Sequence, residues 1–512
     1  MSKMKRSLCL ILAIVFALAL VMTGCGTKDA ATDASSAAAT TAAPAGTEAE
    51  AAPAGPPTTL TWYCVGPGQE PDTDAVLAEV NKYLKDKLNV EIKMNVLAYG
   101  EAYNKKVNTM LSAGEPFDIC FTAGWAADIK LNSSKGYFTE LDDYLAKDPT
   151  ITNIVGQSFM NGVKIGGKTY AVPCNKEMAH DWGFLLKKDL VDKYAIDTTK
   201  IKKMEDLEPW FEKIKVGEPG VTPLLSVEME APFKLLDWDN FADDDIPGAL
   251  YPSNDSTKVI NQFITPEAVN HYKKMREYAQ KGYVSADAAT MTNFNDQLKT
   301  NKYFACVQSM KPGKAEEMKG TTGGIDWVQV DITPVMTNNR DCGGGALLAI
   351  PSASKNKDLA FKFINMLYTD KTLVNMLVYG IENVHYKKVS DNVVQLLKSP
   401  VTYAAGNGWR FGDSLKDYLV DNEDPHKWEK YGEFNKKATG LNSLGFSFDR
   451  SSVEPQIAAC KQVMQTYYKQ LFTGAVDVDP TVKKMTDELN AAKVDEVLAA
   501  MQTQYDAFLK NK

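Results

Sequence analysis

The sequence predicts an α/β protein of two lobes with a helical C-terminal tail, and three observations predict it. Between residues 59 and 121, strand-like and helix-like segments alternate, which indicates α/β layering around a largely parallel sheet. About 455 residues follow the N-terminal region, too many for one ordinary core. Val453 to Leu471 and Pro480 to Leu509 are rich in Ala, Lys, Gln and Met, with few breakers, as in long helices.

The N-terminus is a different kind of sequence. Lys3, Lys5 and Arg6 precede an apolar run from Leu8 to Met22 that is too short to span a bilayer comfortably. It ends in Met22-Thr23-Gly24-Cys25, which resembles a bacterial lipobox. That resemblance implies a signal peptide over 1–24 and a lipidated Cys25. Gly26 to Pro57 is almost entirely Ala, Thr, Ser, Gly, Pro and Glu. Such a segment cannot offset the entropy of ordering and is expected as a tether over 25–57.

Thr59 to Val65, rich in Thr, Trp and Tyr, opens the body as a strand. Asp72 to Leu88 follows as a helix, with Val76, Val80, Tyr83 and Leu84 on one face. Asn89 to Leu97 is a strand, Glu101 to Ala113 a helix, and Phe117 to Phe121 a strand. Gly162 to Pro173 reads as a hairpin about Gly166-Gly167. Phe184 to Lys187, Tyr303 to Gln308 and Ala346 to Ile350 are further strands. Thr265 caps a helix with Pro266 at its first position, and this helix stops at Gly282. Lys357 to Leu367 and Asp370 to Val378 are helices.

Composition excludes several functions. The chain has 57 basic and 65 acidic residues, a formal charge of -8, with no long basic stripe for nucleic acid. Cys64, Cys120, Cys174, Cys306, Cys342 and Cys460 are dispersed and read as buried thiols, although a bridge such as Cys174 to Cys342 stays open. The acidic run Asp237, Asp239, Asp243, Asp244 and Asp245 lacks a calcium-hand loop and reads as surface acidity. His180, His271, His385 and His426 lack zinc spacing, so no metal or cofactor is expected.

Four stretches then carry a resemblance. They are the lipobox, Glu115-Pro116-Phe117-Asp118-Ile119, Gly167 to Pro173 with Phe184 to Asp189, and Ile350-Pro351 with Ser354 to Asn356. Tyr379 to Tyr386 and Gly445-Phe446-Ser447-Phe448 add to it. Together these resemble the extracellular solute-binding lipoproteins of ATP-binding-cassette importers, in the large Gram-positive sugar-binding class. The resemblance implies a type II-like periplasmic-binding-protein fold with a cleft between its lobes. Lobe one is expected over 58–174 and 341–382, and lobe two over 175–340 and 383–512. Pro173 to His180 and Asn339 to Gly345 are expected to cross between lobes, with a third crossing near Glu382 to Tyr386. Pro173, Gly343, Gly344 and Gly345 are the expected hinge positions.

The implied ligand is an oligosaccharide, the partners a permease and the membrane, and the protein a monomeric receptor on the extracellular face rather than an enzyme. A sugar presents an apolar face edged by hydroxyls, which aromatic rings cover and polar side chains bind. Trp62, Tyr63, Trp125, Asn175, His180 and Trp182 are candidates at predicted strand ends. Glu228, Trp238 with Asp239, Arg340 with Asp341, and Trp409 with Arg410 extend the set. A glycoside hydrolase pairing Glu177 with Glu228 or Asp341, or a purely structural surface lipoprotein, are the rival readings.

Overall fold

A computed structural model describes residues 55–252, 255–339, 342, 345–397, 402–403 and 408–511. The signal peptide, Cys25 and most of the tether therefore lie outside the described residues, as do Arg340, Asp341, Gly343 and Gly344.

The first lobe is built on a five-stranded sheet in the order Val90–Ala98, Thr58–Gly66, Ile119–Thr122, Leu347–Ala349, Ala171–Pro173. The first three strands are parallel, and Leu347–Ala349 runs antiparallel to both of its neighbours. Helices cover this sheet with regularly spaced apolar residues. Thr73–Leu88 buries Val76, Val80 and Leu84, and Asn89 ends it in the left-handed region at φ 50°. Full burial of each such side chain contributes about 1.5–3 kcal/mol. Two of the motif stretches meet at Asp118, which is 5 % exposed. One of its oxygens accepts from Thr61 N at 2.9 Å, the other from Ser354 Oγ at 2.7 Å and Asn356 Nδ2 at 3.2 Å.

The second lobe holds a four-stranded sheet in the order Trp327–Asp331, Asp181–Lys187, Tyr303–Met310, Thr222–Leu225. The expected cap is present beside it: Thr265 Oγ1 accepts from Ala268 N at 3.2 Å and Pro266 opens the helix Pro266–Gln280. The tail comprises Glu454–Phe472, Val478–Ala491 and Val494–Asn511. The expected single run after Pro480 is thus two helices, broken where Lys493 takes φ 63°. Ile457, Met464, Met485, Val497 and Tyr505 of the tail share a core with Phe233, Trp238 and Phe263.

Residues from 383 to about 420 do not follow the expected second lobe. Tyr386, Val394, Phe411 and Tyr418 belong to the core of the first. The small sheet formed by Tyr386–Lys388, Val393–Leu396 and Leu419–Val420 returns the chain there. His385 is buried within that lobe, 3.0 Å from Asp72 Oδ2. The third crossing therefore lies after Val420 rather than near Glu382 to Tyr386.

The three crossing segments are laced to one another. Asn175 bridges Asp413 of the first lobe in parallel, His180 bridges Met336 antiparallel, and Met336–Thr337 pairs in parallel with Thr439–Gly440. Thr337 Oγ1 donates to Met178 O at 2.7 Å, and Asn435 holds both Lys176 O and Met178 N, at 2.7 and 2.9 Å. Pro173 ends the last strand before the first crossing, and its carbonyl accepts from Tyr368 Oη at 2.8 Å.

The six described cysteines are buried and free, so Cys174 and Cys342 are not bridged. Burial pushes the Cys64 thiol up to about 11 and those of Cys120 and Cys174 to about 12, which makes them poor nucleophiles.

Candidate functional site

On the first lobe the site begins where the strand Ile119–Thr122 ends. The chain turns tightly there: Ala123 N donates to Ala126 O at 2.8 Å, and Thr122 Oγ1 donates to Ala127 O at 2.8 Å. Asn104 clamps the turn from the neighbouring helix, accepting from Ala127 N and donating to Trp125 O. The turn presents Trp125, 44 % exposed, to solvent. Its ring leans on Phe121 at 5.7 Å and on Trp409 at 6.3 Å, and Phe121 meets Trp409 edge-on at 5.8 Å. Trp125 Nε1 donates to Gly345 O at 3.1 Å, so the second crossing fixes the indole. The result is an aromatic surface anchored at one edge, suited to an apolar ring face.

Arg410 supports this surface from beneath and does not face the cleft. It is 2 % exposed, its Nη1 donates to Val65 O, and its guanidinium lies 4.7 Å from the Phe411 ring centroid. Only a glycine at position 66 admits it, since a Cβ there would stand 2.0 Å from Nη1.

On the second lobe, Trp182, Met229, Phe233, Lys234, Asp237, Trp238, Asn240, Asp244 and Gln262 line about 360 Å3 of space open to solvent. Asp237 is its best-oriented polar group. Its backbone sits in the left-handed region at φ 49°, at the end of the short 3-10 turn Pro232–Leu236. Its Oδ1 accepts from Trp182 Nε1 at 3.1 Å and lies 2.8 Å from His180 Nε2. Among the described residues, Oδ2 has no protein partner and remains available to a ligand hydroxyl. Beside it, Lys234 pairs with Asp244 and lies 5.2 Å from the Trp182 ring centroid. Asn240 Nδ2 donates to Asp244 Oδ1 at 3.0 Å, and Gln262 Nε2 donates to Asn240 Oδ1 at 3.1 Å. The network fixes these polar groups before any ligand arrives.

Both halves attach to the crossing segments, Trp125 through Gly345 and Asp237 through His180.

The structure separates the sequence-predicted residues into three groups. Trp125 and Trp409 form the aromatic surface, while Trp182, Trp238 and, as its buried support, His180 belong to the cavity. Trp62 is a core residue, fully buried edge-on between Phe363 and Phe411. Tyr63 is partly buried against Phe117. Asn175 does not reach either surface: it is 7 % exposed on the first crossing, and its Nδ2 donates to Asp413 Oδ1 at 2.8 Å. Asp239 is 1 % exposed and accepts from Ser443 Oγ at 2.7 Å, so it supports the wall from behind. Glu228 is tied at 3.0 Å to Lys469 of the tail. Arg340 and Asp341 lie outside the described residues.

Asp237, Asp244, Lys234, Asn240 and Gln262 were missed as site residues. The acidic run was expected at the surface: Asp243 lies there, 2.9 Å from Lys461, whereas Asp237 and Asp239 are buried and Asp244 pairs with Lys234. The available signal was Trp238 set between two acids, because a tryptophan flanked by carboxylates is poorly suited to a plain solvated turn. The hydrolase reading loses Glu177. Burial opposes its ionisation, but Lys176 at 3.1 Å and Lys311 at 3.2 Å outweigh that and hold its carboxyl down at about 2. A general acid for glycoside cleavage needs the opposite shift.

Known proteins share this architecture. The family model described as bacterial extracellular solute-binding protein matches residues 67–373, and a domain of unknown function matches residues 442–510. A carbohydrate ABC transporter substrate-binding protein of Streptococcus pneumoniae serotype 4 is 28 % identical over 474 residues, 91 % of this chain and 94 % of that protein. The crystal structure of an N-glycan transport solute-binding protein from Streptococcus pneumoniae is 27 % identical, with a TM-score of 0.79 covering 89 % of this chain and 99 % of that one. The same protein in complex with Man5GlcNAc gives 0.65 at 28 % identity, covering 89 % of this chain and 99 % of that one. Its complex with Man1GlcNAc gives 0.68 at 27 % identity, covering 88 % and 100 %.

Proposed function

The chain belongs to the bacterial extracellular solute-binding proteins, and from that premise we propose that it captures a neutral oligosaccharide between its lobes and delivers it to the permease of an ATP-driven importer. The observation that carries this reading is the pairing of two unlike surfaces about the crossing segments. Trp125 and Trp409 offer rings to a sugar face, while Asp237 offers an oriented carboxylate oxygen to its hydroxyls. The ligands of the pneumococcal relative support the glycan class. Neutral sugar is favoured because Arg410 is committed to Val65 and Lys234 to Asp244, so neither is free to pair with a uronate.

Binding acts through closure. A ligand that touches both lobes shifts the population toward the closed form by its differential affinity for that form. The higher TM-score with the relative described without a glycan than with its two complexes supports an open arrangement here. Lipidation of Cys25 holds the receptor at the outer face of the membrane, with the Gly26 to Pro57 segment as tether. This reading is supported by the lipobox Met22-Thr23-Gly24-Cys25 and the basic and apolar segments before it.

Calorimetry tests the ligand class. Titration with Man5GlcNAc is expected to give a Kd in the micromolar range or below, about -8 kcal/mol or tighter. Oligogalacturonate and an unrelated peptide are expected to give no heat. Binding of the peptide or the uronate alone would reject the neutral-glycan reading.

A further inference from the structure

The segment that opens the matched domain of unknown function touches both lobes within three residues. Leu444 belongs to the core of the first lobe. It lies against Gly162, where an added Cβ would stand 2.9 Å from Leu444 Cδ1 and 2.6 Å from Cys342 Sγ. Two residues later, Phe446 belongs to the tail core, with ring centroids 4.7 Å from Phe241, 5.3 Å from Tyr505 and 5.6 Å from Phe508. Gly445 joins them at φ 92°, a backbone conformation that side chains rarely adopt.

Asn339, on the second crossing, clamps this segment from three directions. Its Oδ1 accepts from Gly445 N at 2.7 Å, and its Nδ2 donates to Ser443 O at 3.1 Å and to Phe446 O. Ser443 Oγ donates in turn to Asp239, between the cavity residues Trp238 and Asn240. One short segment thus connects the first-lobe core, the hinge, the tail core and the back of the cavity wall.

We propose that Leu444 to Phe446 form an interlobe catch that holds the lobes apart, and that this is a function of the start of the domain of unknown function. Asn339 holds Ser443, Gly445 and Phe446 as one unit, so a rotation between the lobes falls on the contacts of that unit, and the proposal takes Leu444 as the side chain that gives way. The present arrangement matches the relative described without glycan at 0.79, against 0.65 and 0.68 for its complexes, and on that basis the proposal assigns the Leu444 seat to the open form. Closure unseats Leu444 from Gly162. The proposal rests on the solute-binding reading, but its primary test uses no ligand.

The test is small-angle scattering of the ligand-free protein carrying Leu444→Ala or Leu444→Ser, each of which empties the catch. Both variants are expected to be more compact than wild type, while Leu444→Met leaves the envelope unchanged. With Man5GlcNAc as probe, Kd for both is expected to fall about three- to tenfold, because the competent state is more populated before binding. Far-ultraviolet circular dichroism and a cooperative melt establish folding. If Leu444→Ala does not fold, Leu444→Val is expected to give a smaller change of the same sign. An unchanged or expanded ligand-free envelope in folded variants would overturn the catch. If Man5GlcNAc binds no form of the protein, the glycan reading fails, and the scattering result still decides the catch.

Discussion

Asp181 provides a sharp test of the electrostatics beside the site. It opens the central strand of the second lobe, is 3 % exposed, and its Oδ1 has no partner among the described residues. Burial, and then the nearby Asp331 carboxylate, push its carboxyl from an ordinary 3.8 up to about 7, against the opposing pull of His180. Between those values the folded state holds more protons than the unfolded chain. The associated stability is present in full below about pH 4 and is lost as pH rises through about 7. At 1.36 kcal/mol for each unit, reduced for relaxation and water access, the ionised carboxylate costs about 2–4 kcal/mol at pH 8. Asp181→Asn keeps the shape and removes the charge. It is expected to stabilise the protein by about that amount at pH 8 and by only about 1 kcal/mol at pH 4.5, where the unfolded chain is already mostly ionised. Urea unfolding of both proteins at pH 4.5, 6 and 8 measures the difference. His271, whose pKa burial lowers to about 4, makes both proteins less stable as pH falls, and this cancels in the comparison. A difference that is constant with pH, or that grows toward acid, would refute the reasoning.

Two further predictions concern ligand and anchor. Trp125→Ala is expected to weaken glycan binding by about 1–3 kcal/mol in calorimetry and to leave a cooperative melt, because the half-exposed ring contributes more to the surface than to the core. An affinity within twofold of wild type would remove Trp125 from the site. Cys25→Ala is expected to release the protein from membranes or leave its precursor unprocessed, as read by fractionation after lipid labelling; unchanged labelling and retention would contradict lipidation at this position.

The first lobe was legible because its signals are local. Alternating strands and helices fix the order of a parallel sheet, and helices Thr73–Leu88 and Glu101–Ala113 show their buried faces at helical spacing. The candidate site was legible only in part. Strand ends pointed to Trp125, but the same logic placed Trp62 there, whereas a sheet covered on both faces buries it. Arg410 was misread because its partner, Val65, lies 345 residues away in sequence. Apart from Trp182 on the strand Asp181–Lys187, the cavity residues come from largely irregular chain between Met229 and Gln262, where no period reports which side faces inward. The third crossing was misplaced for a related reason. The short strands from Tyr386 to Val420 return to a core built mostly from residues before Tyr379, a long-range contact that local pattern does not encode.

The central claim is capture by closure without turnover. The most direct measurement is small-angle scattering of the mature protein with and without saturating Man5GlcNAc, with chromatography of the recovered glycan. The account predicts a smaller radius of gyration on binding and a glycan recovered intact. An envelope unchanged at saturation would contradict closure, and a shortened glycan would contradict a receptor that binds and releases its ligand whole.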